Sequence, residues 1–312
     1  MSRRFPLLTI VVLSALAGLA SVLLASRETA SAQTVATDRA ALVAFYNATN
    51  GDNWTSNTNW LSDKPLNEWH GVGTRSDGRV RYVILEGYNL TGSIPPEIGN
   101  LTALTDLRLS GNSLSGSIPP ELGNLTGLDF LWLSENSLSG SIPPELGNLT
   151  NASWLMLDDN QLTGSIPPEL GNMSGLDWLR LDDNQLTGTI PRELGNLSNS
   201  EFKILGLSEN SLSGSIPPEL GNLHNLWGLY LYSNRLTGVL PQSLTSLTKL
   251  DEFEFYNSTG LCAPRNSAFQ NWLRGVRSVN GPNCAPPRPT ITPTPEPTLI
   301  PIDELFDRYD VD

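Results

Sequence analysis

Two histidines, two cysteines and a set of large aromatic side chains at a fixed spacing are the residues of this chain that could do chemistry. His70 and His224 are far apart, and neither has a serine, cysteine or carboxylate at a catalytic spacing that repetition does not explain. The G-x-S-x-G, H-E-x-x-H, phosphate-loop and kinase patterns are all missing from the sequence. No enzyme is expected, and no metal or cofactor. Cys262 and Cys284 stand alone around a short apolar helical segment, which in an exported chain reads as a disulfide. Closing that loop is worth roughly 3 kcal/mol in the chain-entropy picture.

The remaining chemistry is contact chemistry, and its spacing comes from a repeat. LSGNSLSGSIPPELGNLTGLDFLW, LSENSLSGSIPPELGNLTNASWLM and LDDNQLTGSIPPELGNMSGLDWLR follow one another almost word for word. The asparagine of this text falls at Asn112, Asn136, Asn160, Asn184, Asn210 and Asn234, 24 residues apart except for one interval of 26. Two positions beside the leucines vary. One reads Tyr82, Asp106, Phe130, Trp154, Trp178, Ile204, Gly228, Glu252; the other reads Ile84, Arg108, Trp132, Met156, Arg180, Gly206, Tyr230, Glu254.

Phe130, Trp132, Trp154, Met156 and Trp178 are thus expected to meet as one exposed patch, with Tyr82, Arg108, Arg180, Tyr230 and Tyr232 on the same face. Large aromatics facing water mark a contact surface. The alternative is that they only stack on one another across strands. Beside them runs an acidic rim of Glu135, Asp158, Asp159, Asp182, Asp183 and Glu209. Its paired aspartates lie one repeat apart, so like charges repel unless a cation or basic partner intervenes; the alternative is a solvated polar edge.

A fixed period of this length specifies a solenoid, in which each coil buries its apolar edge only by stacking on the next. Within a coil, L-x-x-L-x-L-x-x-N alternates apolar and variable residues, as at Leu104, Leu107 and Leu109, so a short strand with one buried face is predicted. The stacked strands form one parallel sheet, about 4.8 Å apart. The asparagine turns inward, where its amide can satisfy backbone groups of two coils. Tyr88 and Ser258 replace it in the end coils. Glycine, as at Gly116 and Gly140, permits the tight return path; the Ile-Pro step is extended, and a short helical turn through P-P-E-L ends at Gly-Asn.

The unit L-x-G-x-I-P-x-x-L-G-N-L resembles the plant-type class of leucine-rich repeats, found in receptor ectodomains and polygalacturonase-inhibitor-like proteins. The resemblance covers residues 79–258 in about eight coils. It implies an α/β fold: a right-handed horseshoe solenoid with a parallel sheet on the concave face and short 3-10 or irregular turns on the convex face. W-L-S-D…E-W-H-G-V resembles the N-terminal cap of that class, with Glu68 and Gly73 where the class carries cysteines.

The ends complete the organisation. Residues 1–32 read as a secretory leader: Arg3 and Arg4, an apolar run from Leu7 to Ala25, and a cleavage site at Ala30-Ser31-Ala32. An uncleaved anchor is the alternative, and only then is a membrane involved. Residues 33–78 form a cap, with Asp38 as N-cap of a helix through Tyr46, and with Trp54, Trp60, Leu61, Trp69 and Val72 sealing the first coil. Residues 259–284 form a second cap, in which Ser267 and Gln270 make a capping box, Phe269, Trp272, Leu273 and Val276 share a helical face, and Gly281-Pro282 ends the helix. Residues 285–301 are a Pro/Thr-rich linker. In the acidic tail, 302–312, Asp310-x-Asp312 resembles the start of an EF-hand or dockerin-like calcium loop.

The formal charge is -13, which excludes nucleic acid and anionic lipid as partners. The chain reads as a secreted or cell-surface binding module for a protein or peptide, with the acidic rim favouring basic partners. A carbohydrate binder or inhibitor of a polysaccharide-degrading enzyme is the second reading, and a structural spacer the third.

Overall fold

The repeated leucines are almost wholly removed from water. Leu104, Leu107, Leu109, Leu114, Leu122 and Leu125, from one coil, are all at 0% exposure, and the same positions recur buried along the stack. At about 1.5–3 kcal/mol per fully buried aliphatic side chain, this column is the main driving force for coil stacking. The computed structural model describes residues 34–198, 201–258 and 260–286. The expected leader, nearly all of the linker and the calcium-loop-like tail lie outside the described residues.

Among the described residues, ten strands form the principal sheet, in the order Val72–Thr74, Val80–Ile84, Asp106–Arg108, Phe130–Trp132, Trp154–Met156, Trp178–Arg180, Ile204–Gly206, Gly228–Tyr230, Glu252–Glu254 and Ser278–Asn280. The first pair is antiparallel and the others are parallel, with equivalent residues of successive coils in direct register, as Trp154 with Trp178. The return paths of five successive coils each add a strand, such as Ser137–Ser141, to a second, five-stranded sheet, while those of later coils pair in two two-stranded sheets; a 3-10 turn such as Pro144–Asn148 follows the return strand. Parallel strands with repeated 3-10 turns are the arrangement expected of the solenoid. In the turns, glycine sets how closely coils can approach: a Cβ at Gly147 would lie 2.4 Å from the Glu169 carbonyl oxygen of the next coil.

The asparagines form the anticipated ladder. Asn184 Oδ1 accepts from Leu162 N at 2.9 Å, while its amide donates to the carbonyls of Leu157, Leu181 and Asp182 at 3.0, 3.3 and 3.0 Å. The other five repeat this set, so each joins its own coil to the one before. Every amide group of the side chain is used, which suits a position where strand carbonyls leave the ladder without backbone partners.

The caps differ from expectation in four places. Residues 34–48 are helical, so Asp38 lies inside the helix, not at its start. It is fully buried, receives Arg79 Nε at 2.8 Å and accepts from Val80 N at 2.8 Å, tying the helix to the first coil. Trp54, Trp60 and Trp69 pack in contact, Trp54 and Trp60 edge to face at 4.8 Å, and they seal the first coil; Leu61, at 49% exposure and φ 62°, stands apart. At the other end, Asn266 caps the helix Ser267–Leu273 by accepting from Phe269 N at 2.8 Å. Gln270 instead donates to the Pro264 carbonyl and to Asn283. The helix stops before Gly275, Val276 packs into the core beyond it, and Ser278–Asn280 joins the sheet, so Gly281-Pro282 ends a strand. The Cys262–Cys284 disulfide is formed.

Asn184→Ala removes one buried acceptor and two buried donors at a stroke. Urea denaturation should show a loss on the order of 2–4 kcal/mol, because each stranded backbone group carries its own desolvation cost; a loss well below that would contradict the ladder's role.

Candidate functional site on the outward sheet face

Strand alternation sends the leucines inward and three columns of side chains outward. The first column runs through Asp106, Phe130, Trp154 and Trp178, the second through Arg108, Trp132, Met156 and Arg180, and the third through Ser134, Asp158, Asp182 and Ser208. Direct register brings like positions of adjacent coils within ring-stacking distance.

The aromatic residues meet as expected, but they form a stack more than an exposed patch. Trp132 lies parallel to Trp154 with centroids 5.3 Å apart, and Trp154 lies parallel to Trp178 at 4.8 Å. Phe130 meets Trp132 and Trp154 edge to face at 6.1 and 5.7 Å. Each of these rings is half-buried by its neighbours. Arg108 ends the stack: its guanidinium lies 4.3 Å over Trp132 and 4.9 Å over Phe130 and is held by Asp106 at 3.0 Å. Met156 fills the column between Trp132 and Arg180. Tyr82 is set apart by Asp106, and its ring covers Gly73, where an added Cβ would lie 2.0 Å from the ring.

The acidic rim divides into two columns with opposite behaviour. Asp158 and Asp182 are buried, contrary to a free rim, and they bracket Arg180 at 3.6 and 2.7 Å. Ser134 Oγ donates to Asp158, and Ser208 donates to Asp182 through both N and Oγ. Glu135, Asp159, Asp183 and Glu209 are exposed and adopt left-handed backbone, with φ between 51° and 54°. The equivalent residue of an earlier coil is Gly111, at φ 67°, which has that freedom at no steric cost. Partial desolvation, followed by the hydrogen bond and charge of Asp183, raises the Asp159 carboxyl above its ordinary value.

Tyr230 and Tyr232 belong to a second locus that sequence reasoning did not delineate. A recess of about 320 Å³ opens beyond Trp178, lined also by Arg180, Ile204, Trp227, Tyr230 and Glu254. Its depth comes from absent side chains. A Cβ on Gly206 would lie 2.0 Å from Asp182 Oδ2, and one on Gly228 would lie 2.8 Å from Ile204 Cδ1 and 2.9 Å from the Tyr230 ring. Asp182, Ile204 and Tyr230 therefore lie down over bare backbone. The two glycines interrupting otherwise bulky columns were the signal available in the sequence. The Tyr230 hydroxyl donates to Glu252 at 2.5 Å, and burial with that bond raises its pKa. Tyr232 stacks on Tyr256 at 4.8 Å. Among the described residues, no group of three or more His, Cys, Asp or Glu is arranged to hold a metal ion.

This geometry has known counterparts. The family model described as Leucine Rich Repeat matches residues 103–125, 127–149, 151–173, 175–197, 201–223 and 225–247. The BIR2 ectodomain from Arabidopsis thaliana is 30% identical over 56% of this chain and 93% of that one, with a TM-score of 0.51. The chain belongs to the leucine-rich repeat family. It is also similar to the ectodomain of the plant membrane receptor kinase GASSHO1/SCHENGEN3 from Arabidopsis thaliana, crystallised in complex with CASPARIAN STRIP INTEGRITY FACTOR 2. That match has 34% identity and a TM-score of 0.68, over 78% of this chain and 29% of that one. The plant peptide hormone receptor RGFR1, in complex with RGF2, is 36% identical with a TM-score of 0.61, over 66% of this chain and 33% of that one. This leucine-rich repeat chain thus spans about a third of those two receptor chains. No curated protein matches it significantly. No helix among the described residues is long and apolar enough to cross a membrane.

The raised carboxyl of Asp159 has a signed consequence. A group whose folded pKa lies above its unfolded value disfavours the charged form, so it opposes folding at neutral pH and ceases to do so once protonated. Asp183→Asn should raise the urea midpoint at pH 7, and its advantage should shrink as pH falls through the carboxylate range or as salt is added. An advantage unchanged by both would rule out this repulsion.

Proposed function

We propose that this protein is a non-enzymatic extracellular binding module that takes a peptide or protein segment along the outward face of its principal sheet. The observation that carries the reading is the stack Arg108–Trp132–Trp154–Trp178. It is a preformed, half-buried run of planar groups, held in place by the coil register and flanked by carboxylates. Such a surface offers large contact area at little conformational cost, and Trp, Tyr and Arg are the residue types that dominate binding energy at interfaces. The similar receptors RGFR1 and GASSHO1/SCHENGEN3 have solved structures in complex with RGF2 and CASPARIAN STRIP INTEGRITY FACTOR 2, which supports ligand capture by this scaffold. The exposed acidic column of Glu135, Asp159, Asp183 and Glu209 favours basic ligands and speeds their approach at low salt.

The test is a displayed random-peptide library selected on the folded protein. Trp132→Ala and Trp178→Ala should each weaken capture of the enriched peptides by at least about ten-fold, the cost of losing an interface anchor. Glu145→Ala, in a 3-10 turn away from this sheet, should not. Trp154→Ala is a poorer probe than Trp178→Ala: it removes contacts to three rings, and at about 0.5–1.5 kcal/mol per pair it should also lower stability by about 1.5–4.5 kcal/mol. Peptides that bind the Trp132 and Trp178 variants as well as the parent would overturn the reading. Enrichment on a glycan array with no peptide captured would replace it with a carbohydrate binder.

A further inference from the structure

The recess beyond Trp178 has a composition that selects among side chains. Its cation, Arg180, is already neutralised from both sides by Asp182 at 2.7 Å and Asp158 at 3.6 Å. Asp182 is saturated further by Ser208. Of the lining carboxylates, Glu254 is the one whose side chain makes no hydrogen bond or ion pair among the described residues. Behind it, Glu252 accepts the Tyr230 hydroxyl, and Arg277 approaches Glu252 only at 3.5 Å. The walls are aromatic. Trp178 has one face covered by Trp154, Tyr232 has one face covered by Tyr256, and Trp227 is 39% exposed. An unpaired carboxylate among tyrosine and tryptophan rings suits a cation on an apolar stem, because the rings attract the charge while the methylenes cover their faces.

We propose that this recess takes the Arg or Lys side chain of the bound segment, with Glu254 pairing its charge and Trp178, Trp227 and Tyr230 enclosing its stem. The assignment rests on the reading of the sheet face as a peptide site and adds a residue type and a position to it. The glycines are part of the device. With a side chain at Gly228, Ile204 and Tyr230 could not lie as they do, and the recess would fill.

The pocket is testable without knowing the natural ligand. Nα-acetyl-arginine methylamide, titrated into the full chain, should shift the indole N–H resonances of Trp178 and Trp227 saturably, and added salt should weaken it. The isosteric but uncharged citrulline amide should bind at least about ten-fold more weakly, and Glu254→Gln should weaken the arginine amide by a similar factor. Glu254→Gln keeps the side-chain shape, and an unchanged thermal midpoint would confirm that the fold is intact. Equal binding of the citrulline amide, or an unaffected Gln variant, would overturn the proposal. So would indole shifts produced by cellobiose and not by the arginine amide, which would mark a sugar subsite. The probe is read at the recess itself, so the two readings fail separately. If the arginine amide seats while Trp132→Ala leaves peptide capture intact, the stack reading is wrong and the recess stands. If peptides need Trp132 but ignore citrulline replacement of their basic residues, the recess is wrong and the stack stands.

Discussion

A strand that ends in the middle of a solenoid leaves carbonyl and amide groups pointing into an apolar interior, and the repeated asparagine is what satisfies them. Its single side chain accepts from the preceding coil and donates to carbonyls of both coils, as Asn184 does with Leu162, Leu157 and Leu181. It lets successive coils leave the sheet at the same height with their backbone groups satisfied, and that common height keeps the leucines below and the aromatics above in line. Burial of leucine supplies most of the driving force, but the amide decides where each coil turns.

The register explains why one scaffold can carry a specific surface. Direct alignment of successive coils puts Trp132, Trp154 and Trp178 at ring-stacking distances with no adjustment of backbone, and it puts Arg180 within reach of aspartates from its own coil and the one before. Side chains that vary from coil to coil are thereby read as continuous columns. Where a column contains glycine, as at Gly206 and Gly228, neighbours collapse into the gap and a recess forms beside the stack.

The scaffold was largely legible in the sequence because each of its parts repeats and each position has one local cause: leucine for burial, asparagine for the turn, glycine for close approach. Which residues would face outward was equally legible, since alternation alone decides it. Properties that depend on distant partners were not. Asp38 has the look of a helix cap until Arg79 and Val80, about forty residues on, are seen to hold it. Asp158 and Asp182 are the same residue type as their exposed neighbours Asp159 and Asp183, and what separates them is the reach of Arg180, the serines of adjacent coils and the left-handed backbone of the exposed pair. The extent of ring exposure likewise depends on stacking geometry, and the recess depends on what Gly206 and Gly228 lack.

The hydrogen-bonded register of the principal sheet fixes the pitch of the strands, and pitch has a metrical consequence for anything laid along it. Coils advance by about 4.8 Å, whereas an extended chain advances by about 3.4 Å per residue. The two scales coincide after roughly three residues against two coils, like the graduations of a vernier. After three residues, however, the side chain points the opposite way; side chains of one orientation recur every two residues, about 6.8 Å, so a segment running down the sheet would meet the coils in matched orientation about once per four residues and three coils. The sheet is in this sense a ruler, whose divisions are the hydrogen-bonded spacing of its own strands.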